Sequence, residues 1–247
     1  MPRIKISAVL IVKNEEANIE KCLNSVSWAD EIIVVDDYSS DKTLEIAQQF
    51  TAKIFRRNFD NFANQKNFAL GKASNSWIFL IDADEMVDEE LKNNLTNFIE
   101  EPGLDSYKIN FRHYFGKKWL AHGGQYPSYV IRFFRNYLRY QFAVHEKISV
   151  EPARLGTLNG HITHLTYEDP KELFNKVKRY SLAEAEQIDK PPFWKFIVMP
   201  GYRFLKDYFL KLGFLDGKEG FILQIGLAYY DFLKFRKAFF ERQKKSA

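Results

Sequence analysis

Hydrophobic residues in the first hundred positions alternate between two patterns. Segments of strand length that are rich in apolar residues lie at 6–12, 31–36, 52–55 and 77–81, and the β-branched run at 31–36 suits a sheet covered on both faces. Apolar residues at helical spacing follow them at 16–26, 40–49, 62–73 and 88–99, with Asp88 a candidate helix cap. This alternation predicts an α/β fold with right-handed crossovers, a mixed, mostly parallel sheet and flanking helices.

The pattern changes after residue 105. Strands are predicted at 106–113, 130–134 and 142–150, a glycine-rich loop at 122–127 and a helix at 171–187. Two prolines at 191–192 mark a boundary. We therefore predict a main domain at 1–190 and a tail at 191–247. The apolar residues of the tail predict amphipathic helices at 203–212 and 220–240.

Charge is distributed unevenly between these parts. The chain has a net charge of +4, but the tail alone holds eleven basic and five acidic residues and fifteen of the forty aromatic residues. A basic, aromatic, amphipathic helix pair favours contact with an anionic membrane surface, and packing on the body or on a second subunit is the alternative. A nucleic-acid partner fits less well, because the basic residues are confined to this tail and no recognition motif is present.

Cysteine content and hydropathy indicate the cellular compartment in which the protein functions. Cys22 is the single cysteine, so no internal disulfide can form, which suits a reducing compartment. We see no signal-peptide pattern, and no stretch reaches the about 18 uncharged apolar residues of a membrane-spanning helix. The expectation is a cytoplasmic protein that is peripheral at the inner face of the membrane.

Two acidic clusters end predicted strands. Asp36 and Asp37 follow the second strand, and their carboxylates could accept hydrogen bonds from a base or a ribose, or else cap the next turn. Asp82 and Asp84 follow the fourth strand, one residue apart, where both can reach one divalent cation beside a diphosphate, or else form a polar turn. Ligands of such sheets bind at the carboxyl ends of the strands, so the two clusters together favour a nucleotide-diphosphate-metal site.

These motifs occur in an ordered series that resembles a known family. The segments are AVLIVKNEE at 8–16, VDDYSSDKT at 35–43 and DADE at 82–85. They resemble the inverting family 2 glycosyltransferases of GT-A fold. Further segments look like the bacterial lipopolysaccharide-core β-1,4-glucosyltransferase branch: WADEI at 28–32, NQKNFA at 64–69, RFFR at 132–135 and VHE at 144–146.

The resemblance implies roles at the donor side. Val12, Asp36, Asp37 and Lys66 would hold the nucleoside. Asp84 would be the main ligand of Mg²⁺ or Mn²⁺, which stabilises charge on the leaving diphosphate.

Further residues would complete the donor and metal sites. Asp82 would help to hold the sugar or the metal, and Arg132 and Arg135 could contact the diphosphate or an anionic acceptor. His164 is a candidate third metal ligand or a phosphate contact.

The resemblance also implies the base and the reaction. Glu146, in the VHE segment, would take the proton of the acceptor hydroxyl. The implied donor is a nucleotide sugar, UDP-glucose first, and the implied acceptor is a lipopolysaccharide-core glycan or a glycolipid. This chain has GQYPS at 124–128 where the branch commonly has a tryptophan-containing loop, which leaves the exact sugar and acceptor open.

Other functions remain open at this point. The same fold could act on a polysaccharide, a lipid or a peptide, and the protein could form an oligomer. A catalytically silent nucleotide-sugar-binding module at the membrane is the alternative of a different class. A nucleotidyltransferase would need a glycine-rich phosphate loop after the first strand, which the sequence lacks.

Overall fold

The computed structural model describes residues 3–141, 147–148, 150–186, 188 and 191–245, with 241–245 described by their backbone alone. The strands are β1 Ile6–Val12, β2 Glu31–Asp36, β3 Ile54–Arg56, β4 Trp77–Leu80, β5 Glu85–Val87, β6 Ser106–Phe115, β7 Lys118–Trp119, β8 Tyr129–Arg135, β9 Tyr140–Gln141, β10 Lys147–Ile148 and β11 Leu155–Tyr167. The helices are α1 Ile19–Ser25, α2 Thr43–Ala47, α3 Phe62–Leu70, α4 Glu89–Thr96, α5 Pro170–Ala185, α6 Lys195–Leu205 and α7 Gly217–Lys245.

The main sheet has the strand order β3-β2-β1-β4-β8-β6-β11-β5, with β7 added beside β6. The first four strands in this order are parallel, and Val12 of β1 pairs with Asp36 of β2 at their carboxyl ends. β8 joins β4 in the antiparallel direction, and β5 pairs antiparallel with β11. The predicted α/β class with a mixed sheet flanked by helices is confirmed.

Strands β1, β2 and β4 are covered on both faces, which is why they appear as continuous apolar runs, whereas the edge strand β3 is only partly buried. Alternate residues of β1 point to opposite sides: Ala8 and Leu10 belong to one buried cluster and Val9 to another. An aromatic group formed by Trp77, Phe98, Tyr107 and Phe133 fills the first cluster, with Trp77 stacked on Phe133 at 4.6 Å between ring centroids. This packing fixes the strand that delivers the second acidic cluster.

Three helix starts follow from capping side chains, and at the start of α3 the Asn61 side chain accepts a hydrogen bond from the Asn64 amide at 2.9 Å. The Asp88 carboxylate accepts a hydrogen bond from the Leu91 amide at 2.9 Å, as the sequence predicts, and Asp169 does the same for α5. The first helix of the tail departs from its predicted bounds of 203–212, because α6 begins at Lys195 and carries Pro200 within it. A π-helical turn at Lys206–Leu210 and a 3₁₀ turn at Gly213–Asp216 then lead into α7.

The chain forms two compact units. One contains Met1–Phe111 with Ser128–His164, and the other contains Arg112–Pro127 with Leu165–Ala247. The predicted boundary at residue 190 stays a prediction. Among the helices of the described residues, none combines the length and the apolarity needed to cross a bilayer.

Candidate active site

The chain turns sharply where β4 ends. The Glu85 amide donates to the Asp82 carbonyl at 3.0 Å, and the Asp82 amide donates to the Glu85 carboxylate at 3.0 Å. β5 starts at Glu85, so the acidic segment is held between two strands. Asp82, Asp84 and Glu85 therefore occupy fixed positions at the carboxyl end of β4.

The pairing of β5 with β11 brings a histidine to this turn. Ile162 lies opposite Val87, and His164 lies opposite Glu85. His164 Nε2 is 3.3 Å from Asp84 Oδ2. One ligand atom from each of Asp84, Glu85 and His164 falls within 4.8 Å of the others.

Arg132 neutralises part of the acidic cluster. This β8 residue is buried, and its Nη2 donates to Asp82 at 2.6 Å and to Glu85 at 2.5 Å. Its guanidinium lies 5.4 Å from the centre of the Phe111 ring. Here Arg132 binds the two carboxylates, and its predicted contact with the diphosphate or an anionic acceptor stays a prediction.

The surroundings shift the pKa values of these groups in different directions. Burial raises the pKa of Glu85 to about 7, against the opposing charge of Arg132. Burial also raises the pKa of Asp82, but the positive charges of Arg132 and Lys66 outweigh burial. They hold the pKa of Asp82 well below its usual range. Burial would lower the pKa of His164, yet the hydrogen bond to Asp84 raises it. Asp82 thus stays ionised at neutral pH, whereas Glu85 holds its proton more readily than a free carboxylate does.

The donor set fits a divalent metal ion. Carboxylate oxygens suit Mg²⁺ and Mn²⁺, and an imidazole nitrogen is an acceptable further ligand for Mn²⁺. Asp84 keeps its carboxylate 23% exposed beside His164, while Asp82 is partly engaged by Arg132. Asp84, Glu85 and His164 are therefore the residues that could hold a metal ion.

A second group of similar composition fits a metal less well. Asp88, Glu90 and His161 also offer ligand atoms within 4.8 Å. Asp88, however, caps α4 through the Leu91 amide, so its carboxylate is committed to the positive end of a helix. Asp88 therefore already serves the start of a helix, which makes this group the weaker candidate for a metal ion.

The predicted nucleoside residues lie at the ends of β1 and β2. The Asp37 amide donates to the Val12 carbonyl at 3.0 Å, which joins the two strand ends. The Asp36 carboxylate is fully buried, accepts from the Ser39 amide at 3.1 Å and lies 3.7 Å from Arg56. Asp36 therefore shapes the turn after β2, in agreement with the capped-turn interpretation left open by the sequence.

Asp37 and Lys66 are placed differently from Asp36. Asp37 accepts from Lys13 at 2.6 Å and from the Phe59 amide at 3.0 Å, and the Lys13 hydrogen bond lowers its pKa. Lys66 is buried on α3, with its ammonium 5.0 Å from the centre of the Tyr140 ring. Because its charge also acts on Asp82, Lys66 connects the nucleoside side with the acidic turn.

Two predicted site residues are not brought to this cluster. Arg135 pairs with Glu100 and lies over the Trp77 ring at 4.6 Å, at the amino end of β4. That position is about 16 Å of extended strand away from Asp82. Glu146, the predicted base, lies outside the described residues.

Glu85 is a member of the site that the sequence does not single out. Local sequence marks it only as one more charge near Asp82, yet it pairs with Arg132 and offers a metal-ligand atom. Its spacing of three residues from Asp82, which lets a side chain reach back across a turn, is the signal that the sequence offers. That Glu85 pairs with Arg132 of β8 cannot be deduced from local sequence.

Bacterial relatives match nearly the whole chain. LpsC of Rhizobium meliloti, a lipopolysaccharide core biosynthesis glycosyltransferase, is 30% identical over 257 residues, covering 97% of this chain and 93% of that protein. An uncharacterized glycosyltransferase of Rickettsia typhi is 29% identical, over 94% of this chain and 86% of that protein. The crystal structure of Staphylococcus aureus TarS residues 1–349 superposes with a TM-score of 0.49 at 16% identity, covering 99% of this chain and 92% of that chain.

The family model for glycosyl transferase family 2 matches residues 7–154. That match spans both acidic strand ends, β8 and the turn into β11. The chain belongs to glycosyl transferase family 2 and is a glycosyltransferase.

Proposed function

We propose that the protein transfers a hexose from a nucleotide sugar, with UDP-glucose the first candidate, onto a lipopolysaccharide-core or related glycan, with inversion. The observation that carries the proposal is the convergence of Asp84, Glu85 and His164 at the end of β4 in a family 2 chain. The acceptor class is supported by the name of LpsC, a lipopolysaccharide core biosynthesis glycosyltransferase.

The nucleoside would bind at the ends of β1 and β2. Asp37, kept ionised beside Lys13, would accept hydrogen bonds from the base or the ribose. Val12 and Asp36 would fix the strand ends on which Asp37 is carried, and Lys66 would add a positive charge toward the diphosphate. This arrangement fits the general rule that α/β sheets bind nucleotides beyond their carboxyl ends.

Mg²⁺ or Mn²⁺ would be held by Asp84, with His164 and Glu85 as further ligands. When bound, such an ion supplies Lewis-acid stabilisation of the charge that develops on the leaving diphosphate. Asp82 would contact the donor sugar or the ion, and Arg132 would hold Asp82 ionised and in place. Arg135, which pairs with Glu100, would take part only if the donor extended toward the amino end of β4.

Glu146 would accept the proton of the attacking acceptor hydroxyl. Its support is the VHE segment at 144–146, and a positioned base is typically worth about 10²–10⁴-fold in rate. Glu146→Gln should therefore lower kcat about 100-fold or more and leave donor affinity intact. Glu151→Gln, a nearby exposed carboxylate, is the matched control.

The direct test is a screen of nucleotide sugars for metal-dependent thermal stabilisation. A ligand at 100 times its Kd stabilises the folded state by about 2.7 kcal/mol, which gives a clear rise in Tm. Asp84→Asn should abolish the metal-dependent part of the rise, and Glu90→Gln, from the second carboxylate group, should retain it. Stabilisation that survives Asp84→Asn unchanged would place the cation elsewhere.

The same assays separate the alternatives. A silent nucleotide-sugar-binding module would show stabilisation with neither sugar transfer nor donor hydrolysis. An enzyme with another acceptor would hydrolyse the donor slowly and transfer only to a polysaccharide, lipid or peptide. We also propose a cytoplasmic enzyme peripheral at the inner membrane face, where a lipid-linked acceptor would be presented.

A further inference from the structure

The helix α6 exposes an apolar face. Large side chains recur at intervals of three and four residues from the residue before α6 to the π-helical turn after it, and all are exposed: Trp194, Ile197, Val198, Tyr202, Leu205 and Phe209. Ile197 is 62% exposed and Leu205 57%. Because this spacing places them on one side of a helix, they form a continuous stripe, which we name the α6 face.

The opposite side of α6 is already occupied within the same unit. The Phe196 ring packs against Phe232 and Phe239 of α7, and Arg203 Nη1 lies 3.1 Å from Asp231. α6 is thus anchored on α7 through one side, and the α6 face is the side left over. Single exposed apolar residues are ordinary on a protein surface, but a stripe of six is typical of an interaction site.

Exposed charge around the α6 face is positive. Between residues 191 and 218 the acids are Asp207 and Asp216, and both are buried. Asp207 pairs with Lys211 at 2.9 Å, and Asp216 with His122 at 2.8 Å. The basic residues of this segment are not buried: Lys195, Arg203, Lys206, Lys211 and Lys218.

The basic end of α7 is used differently. Lys234 pairs with Glu184 at 3.4 Å and with Asp231 at 3.2 Å, and Lys237 pairs with Glu186 at 2.9 Å. These lysines are mostly buried and join α7 to the end of α5. Lys234 and Lys237 are therefore committed to packing, whereas Arg236 of α7 and the basic residues around α6 are exposed or partly exposed and can meet an anionic partner.

We propose that the α6 face docks on an anionic lipid bilayer, with α6 lying in the plane of the interface. Its apolar stripe would enter the boundary between headgroups and acyl chains, and the surrounding lysines would contact lipid phosphates. A second copy of the chain is the less favourable occupant, because it would bring two positively charged rims together. The docking rests on the proposed function only for its biological purpose, which is to bring the enzyme to a lipid-linked acceptor.

Vesicle sedimentation of the full chain tests this surface. Vesicles of phosphatidylcholine containing phosphatidylglycerol should bind the protein at least about tenfold more tightly than phosphatidylcholine alone, and added salt should weaken binding. Ile197→Glu and Leu205→Glu should each reduce binding about tenfold or more, since each removes an apolar side chain from the lipid and adds a negative charge. Ile99→Glu is the matched control, because Ile99 is 79% exposed and lies in the other unit.

Each other outcome contradicts the proposal. Equal binding to neutral and anionic vesicles would show that charge does not contribute to binding. Undiminished vesicle binding by Ile197→Glu would show that the α6 face does not contact the bilayer. A concentration-dependent dimer that Ile197→Glu abolishes, without vesicle binding, would assign the face to a second copy. Donor-dependent thermal stabilisation of the same variants reports the nucleotide site separately, so a failed docking proposal is distinguishable from a failed enzyme assignment.

Discussion

Replacing Glu31 by glutamine tests how much one buried carboxylate contributes to the stability of the sheet. Glu31 opens β2 with its side chain 5% exposed. It accepts hydrogen bonds from Ser7, from the Ser74 amide at 2.9 Å and hydroxyl at 2.5 Å, and from Lys53. Burial opposes its ionisation, but these donors prevail and lower its pKa from 4.5 to about 2.

The size of the effect follows from that pKa difference. A shift of about 2.5 units corresponds to about 3.4 kcal/mol of stability at neutral pH. Because the pKa of the folded state is depressed, this contribution is complete above pH 4.5 and is lost as the pH falls toward 2. At pH 3 about 1.4 kcal/mol of it remains.

Urea unfolding followed by tryptophan fluorescence measures the difference, because the Trp77 ring is buried in the same unit. Glu31→Gln should be less stable than the wild type by up to about 3 kcal/mol at pH 7 and by roughly half of that or less at pH 3. Glu89→Gln is the control, since its pair with Lys92 is exposed and worth under about 1 kcal/mol. A loss of equal size at both pH values would refute the reasoning.

Three further predictions concern other buried groups. Arg132→Met should destabilise the fold by about 3–5 kcal/mol, measured by urea unfolding, because it leaves the carboxylates of Asp82 and Glu85 without their cation. Gly160→Ala should lower stability by about 1–3 kcal/mol more than Gly103→Ala, because both glycines have positive φ but only the Cβ at 160 would clash, at 2.3 Å from a backbone nitrogen of α4; equal losses would contradict this. Cys22 should react with a thiol reagent at least about 100-fold more slowly in the native protein than in urea, because burial raises its pKa well above 9.0; fast native labelling would show that its site opens.

Local sequence predicts the parallel half of the sheet well. β1, β2 and β4 are apolar runs covered on both faces, so each appears as a continuous signal in its own residues. The acids that end β2 and β4 can therefore be placed at one edge of the sheet from local sequence alone. The Asp88 cap is predictable for the same reason, because it acts on an amide three residues away.

Non-local contacts are what the sequence cannot supply. β5 is a three-residue strand that exists through pairing with β11, and the opposition of Glu85 and His164 depends on that register. Arg132 lies between Asp82 and Glu85 because β8 runs antiparallel beside β4. The early start of α6 is not predicted, because Pro200 within it is a helix-breaking signal.

The pairing of β5 with β11 has a consequence for the order in which the protein becomes functional. Asp84 and His164 are separated by 80 positions along the chain, and Arg132 is also distant from Asp82. As the chain emerges during synthesis, the strand ends of β1 and β2 can form early, whereas the acidic turn must await β8 and β11. Until then its carboxylates lack both the guanidinium and the imidazole, so in a nascent chain the residues proposed to hold the nucleoside can be in place before those proposed to hold the metal ion.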